Sequence, residues 1–301
     1  MASGSVDETI HLVNMKHRVD AGAFNLHNGT VTALEFYGSK HLFSASEDNT
    51  VAVFSIPDRK CEKILRGHSG PVTSLALHAT GKLLLTVSKD ASLRTWNLVK
   101  GRCAYVLNLK ECANKIHWSP CQSKFAAVFD SHVDIYDITN GSILKVLDKT
   151  YFDKRIENIV YLNDRYLVIY GDSPDFVIVD LENDKKIHQV NAHENRIKGM
   201  KMISVNLVPE EFNLDKNATH WLVSTSNDGF IKIWSLNLDK ISSEPKLITS
   251  HNTTCRPVCI TIWTEKEDEK KKFELPSLHI TEEELEQCKL HIKRKKRKIE
   301  A

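Results

Sequence analysis

The sequence predicts an all-β protein built from about six copies of one four-stranded unit, with an incomplete first copy and a charged C-terminal tail. Three observations carry that prediction. Apolar and polar residues alternate along most of the chain, and few segments have a helical period. Turn signals recur at the short intervals expected of an all-β fold. One turn-plus-strand pattern returns six times at nearly constant spacing.

The copies read SVDETIHLVNM from Ser5, SEDNTVAVFSI from Ser46, SKDASLRTWNL from Ser88, VFDSHVDIYDI from Val128, GDSPDFVIVDL from Gly171 and SNDGFIKIWSL from Ser226. Their ninth positions are Val13, Phe54, Trp96, Tyr136, Val179 and Trp234, separated by 41, 42, 40, 43 and 55 residues. Four of these five intervals match the 40–45 residues of a four-stranded propeller blade, so the units are expected to form a β-propeller. The long interval reflects an insertion between Ser204 and Trp221, whose Pro209, acidic pair and asparagines read as a loop.

A second shared element precedes each turn. HNGTVTALEF from His27, HSGPVTSLAL from His68 and HENRIKGMKM from His193 place a histidine just before an alternating strand, and His251 repeats the pattern near the C-terminus. The first strands expected are Val31–Phe36, Val72–Leu77, Lys115–Trp118, Ile156–Tyr161, Ile197–Met202 and Val258–Trp263. The copy at Ser5 has no such strand in front of it. A late start or a short isoform is the favoured reading, and closure of a six-bladed ring by Val258–Trp263 is the alternative.

The copy from Gly67 to Leu98 shows why these residue types recur. Asp90 in the tight turn is placed to accept a hydrogen bond from His68, and Ser88 to bridge the imidazole to the indole of Trp96. Such polar groups tolerate burial only when each satisfies another. His193, Ser226, Asp228 and Trp234 fit the same network, as do His27, Ser46 and Asp48, with Phe54 in place of the indole. These residues resemble those of WD repeats, and the resemblance runs from Met1 to about Trp263.

The recurrence of His, Ser and Asp argues against a nucleophilic triad, which needs one exposed serine beside an oxyanion hole. The 14 histidines form no HExxH or His–Cys cluster, and neither a GxxxxGK[ST] loop nor a strand-linked GxGxxG occurs. Neither an enzymatic role, a metal nor a cofactor is therefore expected. No run of about 18 apolar residues is present, so membrane association is not expected. Seven cysteines without CxxC pairing read as reduced packing thiols. The sequons at Asn28, Asn140, Asn217 and Asn252 read as chance matches.

A net charge of +2 gives no strong overall field, so charge placement matters more than its total. Arg59, Lys60, Lys82, Lys89, Arg94, Lys100 and Arg102 are sprinkled over the second and third repeats. A solvated face is the favoured reading, and RNA contact is the alternative. Residues 1–264 are thus assigned to the propeller and 265–301 to the tail. In the tail, Thr281 and Glu284 form a helix-start signature. The run Lys293, Arg294, Lys295, Lys296, Arg297 and Lys298 reads as a nuclear or nucleolar localisation signal that importin would receive.

DETIHL, FYGSKHLFSASED, LRTWNLVKGR, AHENRIKGM and STSNDGFIKIW, with the basic tail, resemble one WD-repeat family more closely. It is the family of p21-activated-kinase-interacting WD-repeat proteins, which includes the yeast Mak-type factor of large ribosomal subunit assembly. The resemblance implies a seven-bladed propeller, residence in the nucleolus and a scaffolding role in maturing the 60S subunit. The partners it implies are pre-60S assembly proteins and rRNA. In animals it also implies inhibitory binding to the regulatory part of p21-activated kinases.

Overall fold

Each repeat folds as a small antiparallel sheet because its turns are chemically specified. A computed structural model describes residues 1–205 and 218–263. The first sheet contains β1 (Ala2–Gly4), β2 (Thr9–Asn14) and β3 (Val19–Asn25). The second contains β4 (Val31–Tyr37), β5 (His41–Ser46), β6 (Thr50–Ser55) and β7 (Lys60–Arg66). The third contains β8 (Val72–Leu77), β9 (Leu83–Ser88), β10 (Ser92–Asn97) and β11 (Arg102–Asn108). The fourth contains β12 (Lys115–Trp118), β13 (Lys124–Val128), β14 (Val133–Asp137) and β15 (Ile143–Leu147). The fifth contains β16 (Ile156–Tyr161), β17 (Tyr166–Gly171), β18 (Asp175–Asp180) and β19 (Lys185–Asn191). The sixth contains β20 (Ile197–Ser204), β21 (His220–Ser226), β22 (Phe230–Leu236) and β23 (Lys246–Asn252).

In the repeated turn an aspartate carboxylate accepts from the residue two positions on. Asp7 takes the Thr9 amide at 3.1 Å, Asp48 the Thr50 amide at 2.9 Å, Asp90 the Ser92 amide at 3.0 Å and Asp228 the Phe230 amide at 2.9 Å. The residue between them has a positive φ in every case: Glu8, Asn49, Ala91 and Gly229. The side-chain bond holds a left-handed kink that a turn of this type requires.

The third and fourth strands of every four-stranded sheet, and β2 and β3 of the first, carry a register shift at one recurring place. It falls at Leu12/Val13, Val53/Phe54, Thr95/Trp96, Ile135/Tyr136, Ile178/Val179 and Ile233/Trp234. Each shift ends at the ninth position of the repeat. A bulge there increases twist and re-aims the aromatic side chain inward.

Sheets pack face to face, and five buried clusters fill the gaps between consecutive sheets. Phe43, Leu84, Ile116 and Leu147 are almost fully buried. Burying each such side chain contributes about 1.5–3 kcal/mol. Threonines on the inner strands tie neighbours together: Thr32 Oγ1 donates to the Val72 carbonyl at 2.7 Å and Thr73 Oγ1 to the Ala113 carbonyl at 2.8 Å.

The structure corrects the sequence reading at both ends of the described chain. Ala2–Gly4 precedes the first turn as β1 and pairs with β2, with Ala2 opposite Leu12 and Gly4 opposite Ile10. A strand therefore does stand before the first turn, although the first sheet has three strands where the others have four. The segment Val258–Trp263, expected as a first strand, has no strand pairing among the described residues. It leaves β23 through Thr253, whose amide and hydroxyl both bond the Gly229 carbonyl, and Ile260 lies against Gly199 of β20. A Cβ at Gly199 would come 3.0 Å from the Ile260 methyl, so glycine permits that approach. His251 is not equivalent to the other repeat histidines, since it sits within β23 opposite Ile231. Residues 206–217, most of the expected insertion, and residue 264 with the whole tail 265–301, its helix signature and basic run included, lie outside the described residues.

Candidate functional site

The residues singled out by the repeat come together in three buried networks. In the third sheet His68 Nδ1 lies 3.0 Å from Asp90 Oδ2, and His68 Nε2 lies 2.8 Å from Thr86 Oγ1. The Trp96 indole donates to the same Thr86 oxygen at 2.9 Å. An indole N–H can only donate, so the threonine hydroxyl proton is free to go to His68 Nε2, and Nδ1–H then donates to Asp90. In the sixth sheet His193 Nδ1 lies 2.9 Å from Asp228, His193 Nε2 lies 2.9 Å from Ser224 Oγ, and Trp234 donates to Ser224 at 3.0 Å. In the second sheet His27 reaches Asp48 at 2.8 Å and Ser44 at 2.6 Å, while Phe54 stacks on Phe24 with ring centroids 4.3 Å apart.

The bridging hydroxyl therefore stands two residues before the one expected. Ser88 does not link His68 to Trp96; its hydroxyl donates to the Gly70 carbonyl at 2.8 Å and accepts the Asp90 amide at 3.1 Å. Ser46 and Ser226 likewise donate to Gly29 and Asn195 carbonyls at 2.8 and 3.0 Å. These serines fasten the turn to the chain ahead of the inner strand, and Ser44, Thr86 and Ser224 build the core link.

Burial sets the charge state of the networks. Desolvation lowers the His68 and His193 imidazole pKa values against the pull of Asp90 and Asp228. Burial pushes the Asp90 carboxyl up, but bonds from Ser92, the Ser69 amide and His68 outweigh it and hold the group well below the carboxylate range. Asp228 is held down in the same way by the Phe230 and Glu194 amides and His193. The imidazoles are nearly inaccessible, with side-chain exposures of 1%, 1% and 0% for His27, His68 and His193. Ser44, Thr86 and Ser224 are fully buried as well. No substrate could reach these hydroxyls, so the sets hold strand register and do no acid–base chemistry.

The fourth and fifth sheets lack the histidine and the bridging hydroxyl of the network, and the fourth keeps only the turn aspartate, Asp130. By register, Ala127 and Ile169 stand at the hydroxyl position, and the connections that lead to β12 and β16 carry the apolar Leu109 and Phe152 in place of a histidine. Tyr136 replaces the indole and donates to Asp134 at 3.2 Å. The other Asp134 oxygen is buried without a hydrogen bond, and burial pushes its carboxyl up.

Sequence reasoning missed a second polar group on the inner strands. His117 Nε2 lies 2.5 Å from Asn158 Oδ1, and burial pushes its imidazole down to about 4. Lys198 bonds Glu157 at 2.9 Å, and burial lowers the Lys115 ammonium pKa, which Glu157 partly offsets. The available signal was the polar character of Lys115, His117 and Asn158 at positions where β8 carries Ser74 and Ala76, with Lys198 where it carries Thr73.

The sprinkled cations separate by end of the sheets. Arg59, Lys60, Lys100 and Arg102 lie on turns between third and fourth strands, and Lys82 on a turn between first and second strands. In an antiparallel sheet those turns share one end. Lys89 lies at the opposite end, 3.7 Å from Glu47, and Arg94 is within β10 with its Nε buried and unbonded. Of the described cysteines, Cys61 and Cys103 are half-buried whereas Cys112, Cys121, Cys255 and Cys259 are exposed, so packing does not account for most of them. All six are free thiols. Among the described residues no metal-ligating cluster occurs, and no helix is long and apolar enough to cross a membrane.

Comparison with known proteins agrees with this architecture. The model of the "WD domain, G-beta repeat" matches residues 21–55, 59–97 and 216–235. A zebrafish (Danio rerio) protein named p21-activated protein kinase-interacting protein 1-like is 40% identical over 95% of this chain and 73% of its own length. The human p21-activated protein kinase-interacting protein 1 is 35% identical over 96% of this chain and 70% of its own. Protein MAK11 of Saccharomyces cerevisiae is 25% identical over 79% of this chain and 65% of its own. With its six sheets, its buried His–Asp–hydroxyl networks and these relatives, the chain is a WD-repeat scaffold that belongs to the family of p21-activated protein kinase-interacting protein 1.

Proposed function

We propose that this scaffold acts in maturation of the large (60S) ribosomal subunit, in the nucleolus, by holding pre-ribosomal proteins or RNA. Its chief support is the alignment with yeast Protein MAK11 across 79% of the chain, the Mak-type relative through which the motif resemblance implies large-subunit assembly. The recurrent polar groups are sealed in the core, which leaves binding to the outer surface. The tail run Lys293–Lys298 supplies the importin-read address. Deletion of those six residues is expected to abolish nucleolar accumulation of a fluorescent fusion, and a fusion that stays nucleolar refutes the address. Sedimentation of the tagged chain with large-subunit precursors tests the scaffold itself, and a chain found only in light fractions overturns it.

A second reading is negative regulation of a p21-activated kinase through binding of its regulatory region. It is favoured by the names of relatives alone: the human relative is called kinase-interacting, and a 23%-identical Schizosaccharomyces pombe relative is called Shk1 kinase-binding protein 15. Pulldown with a kinase regulatory fragment separates the two readings.

A further inference from the structure

We infer that the turn-bearing end of the first three sheets is a binding surface for the phosphate backbone of single-stranded RNA. Arg18 lies between β2 and β3, Arg59 precedes β7 and Lys60 begins it, Lys82 precedes β9, and Lys100 precedes β11, which Arg102 begins. All six are exposed. None of the six forms an ion pair within 4.0 Å among the described residues.

Three carboxylates, Asp20, Asp58 and Glu62, stand at this end against the six cations and leave it net positive. Asp20 accepts the Gly22 amide at 2.8 Å, Asp58 accepts the Ser55 hydroxyl at 2.7 Å, and Glu62 lies 3.5 Å from His41. The same end of the fifth sheet is different, for Arg165 is neutralised by Asp180 at 2.8 Å and Glu182 at 3.0 Å. Lys185 and Lys186 at that end also lack an ion pair among the described residues, but their turn carries the carboxylates of Asp180, Glu182 and Asp184, whereas the turns of the first three sheets carry an excess of cations along one arc.

The arc is continuous from sheet to sheet. Arg59 Nη1 lies 3.3 Å from where a Cβ on Gly22 of β3 would sit, and the Lys63 ammonium lies so close over Gly101 that a Cβ there would collide with it. Gly101 has a φ of +59°, the conformation that Arg18, Arg59 and Asp184 adopt at the matching turns, and its missing side chain leaves room for the lysine. Both contacts join neighbouring blades.

A linear array of exposed cations suits a linear polyanion. The large apolar side chains exposed in these turns are Val19 and Val99, too few for the apolar centre of a protein interface. Phosphate contacts need no such centre, since released counterions supply the affinity. In taking RNA as the polyanion the inference rests on the ribosome-assembly reading above.

The test uses the full chain with Lys293–Lys298 changed to glutamine, so that the tail does not mask the surface. Binding to poly(U) is measured against salt. Adding Arg59→Gln, Lys60→Gln, Lys100→Gln and Arg102→Gln is expected to weaken binding at least ~10-fold and to flatten the log–log salt slope by about 2–3, at roughly 0.7 per lost contact. Arg59→Lys with Arg102→Lys should retain both affinity and slope. Lys185→Gln with Lys186→Gln, on the same end of the fifth sheet, should change neither. Unchanged binding by the quadruple variant, or an equal loss in the fifth-sheet control, overturns the inference. So does a preference for polyglutamate over poly(U), which would assign the arc to an acidic protein. Because binding is measured on purified chain, RNA capture without co-sedimentation refutes the assembly reading and leaves the surface intact.

Discussion

The third and fourth sheets have the same four-strand order, yet they solve the same core problem with opposite chemistry. The third closes a chain from Asp90 through His68 and Thr86 to Trp96, and every polar atom in it has a partner. The fourth carries Leu109 and Ala127 instead and keeps a tyrosine, but leaves one Asp134 oxygen without a hydrogen bond, 3.7 Å from His132 Nε2. The second sheet drops the indole and still pairs His27 with Ser44 and Asp48, so a member can be lost; the costly state is a buried polar atom left without a partner. The remnant that persists in the fourth sheet is the turn aspartate Asp130, which Asn114 and Arg155 bond in place of a histidine, whereas Asp134 stands where β10 has Arg94.

The largest effect should come from opening the complete network. His68→Ala removes a buried ring and strands Asp90, Thr86 and Trp96, and should cost about 3–4 kcal/mol in urea unfolding. Leu109 is half-buried in the connection that leads to β12, and Leu109→Ala should cost only about 1–2 kcal/mol. Equal losses would erase the contrast between the sheets.

Acid should act next. The lowered pKa values of His117, His68 and His193 mean that the fold prefers the neutral imidazoles. Stability from these groups is present above the unfolded imidazole value, near pH 6.5, and is lost as pH falls. For His117 the loss should extend down to about pH 4, where its folded form titrates, and should reach on the order of 2–3 kcal/mol. Asp90 and Asp228 add a further loss only below the ordinary aspartate pKa of 3.8. The His117→Asn variant should flatten the upper part of this acid profile in chemical denaturation. An unchanged profile would assign the loss elsewhere.

Thr86→Val tests which hydroxyl bridges. It should cost about 2 kcal/mol and shift the indole N–H resonance of Trp96, whereas Ser88→Ala should cost about 1 kcal/mol and leave that resonance in place. The reverse pattern would restore the serine as the link. Asp134→Asn is the smallest change and has the opposite sign. Burial raises the Asp134 pKa, so its folded form is favoured when protonated and its charge is unfavourable at neutral pH. The variant should be more stable by about 0.5–1 kcal/mol at pH 7, and the gain should shrink as pH falls toward the ordinary carboxylate range.

The repeat, the turn aspartates and the histidine–aspartate pairs were legible because each leaves a fixed spacing in the sequence. The bridging hydroxyl was not. Thr86 and Ser88 are both hydroxyl residues on one face of β9, since side chains two apart share a face, and only the height of His68 above the strand chooses between them. Val258–Trp263 alternates like a strand, but pairing depends on which edge is within reach, and alternation is silent on that. The arc of cations was visible as residues and invisible as a surface. Arg94 and Lys89 carry the same charge nearby in sequence, and only sheet topology separates them from Arg59 and Lys100.

The register shift at the ninth position has a consequence for how such a repeat can change. It interrupts the ladder between each outer strand and the strand inside it, at the same height in all six sheets. An extra or missing residue in an outer strand can be absorbed at that break before it reaches the inner register. The rim is thus mechanically uncoupled from the hub, free to acquire new surfaces while the wheel keeps its gauge.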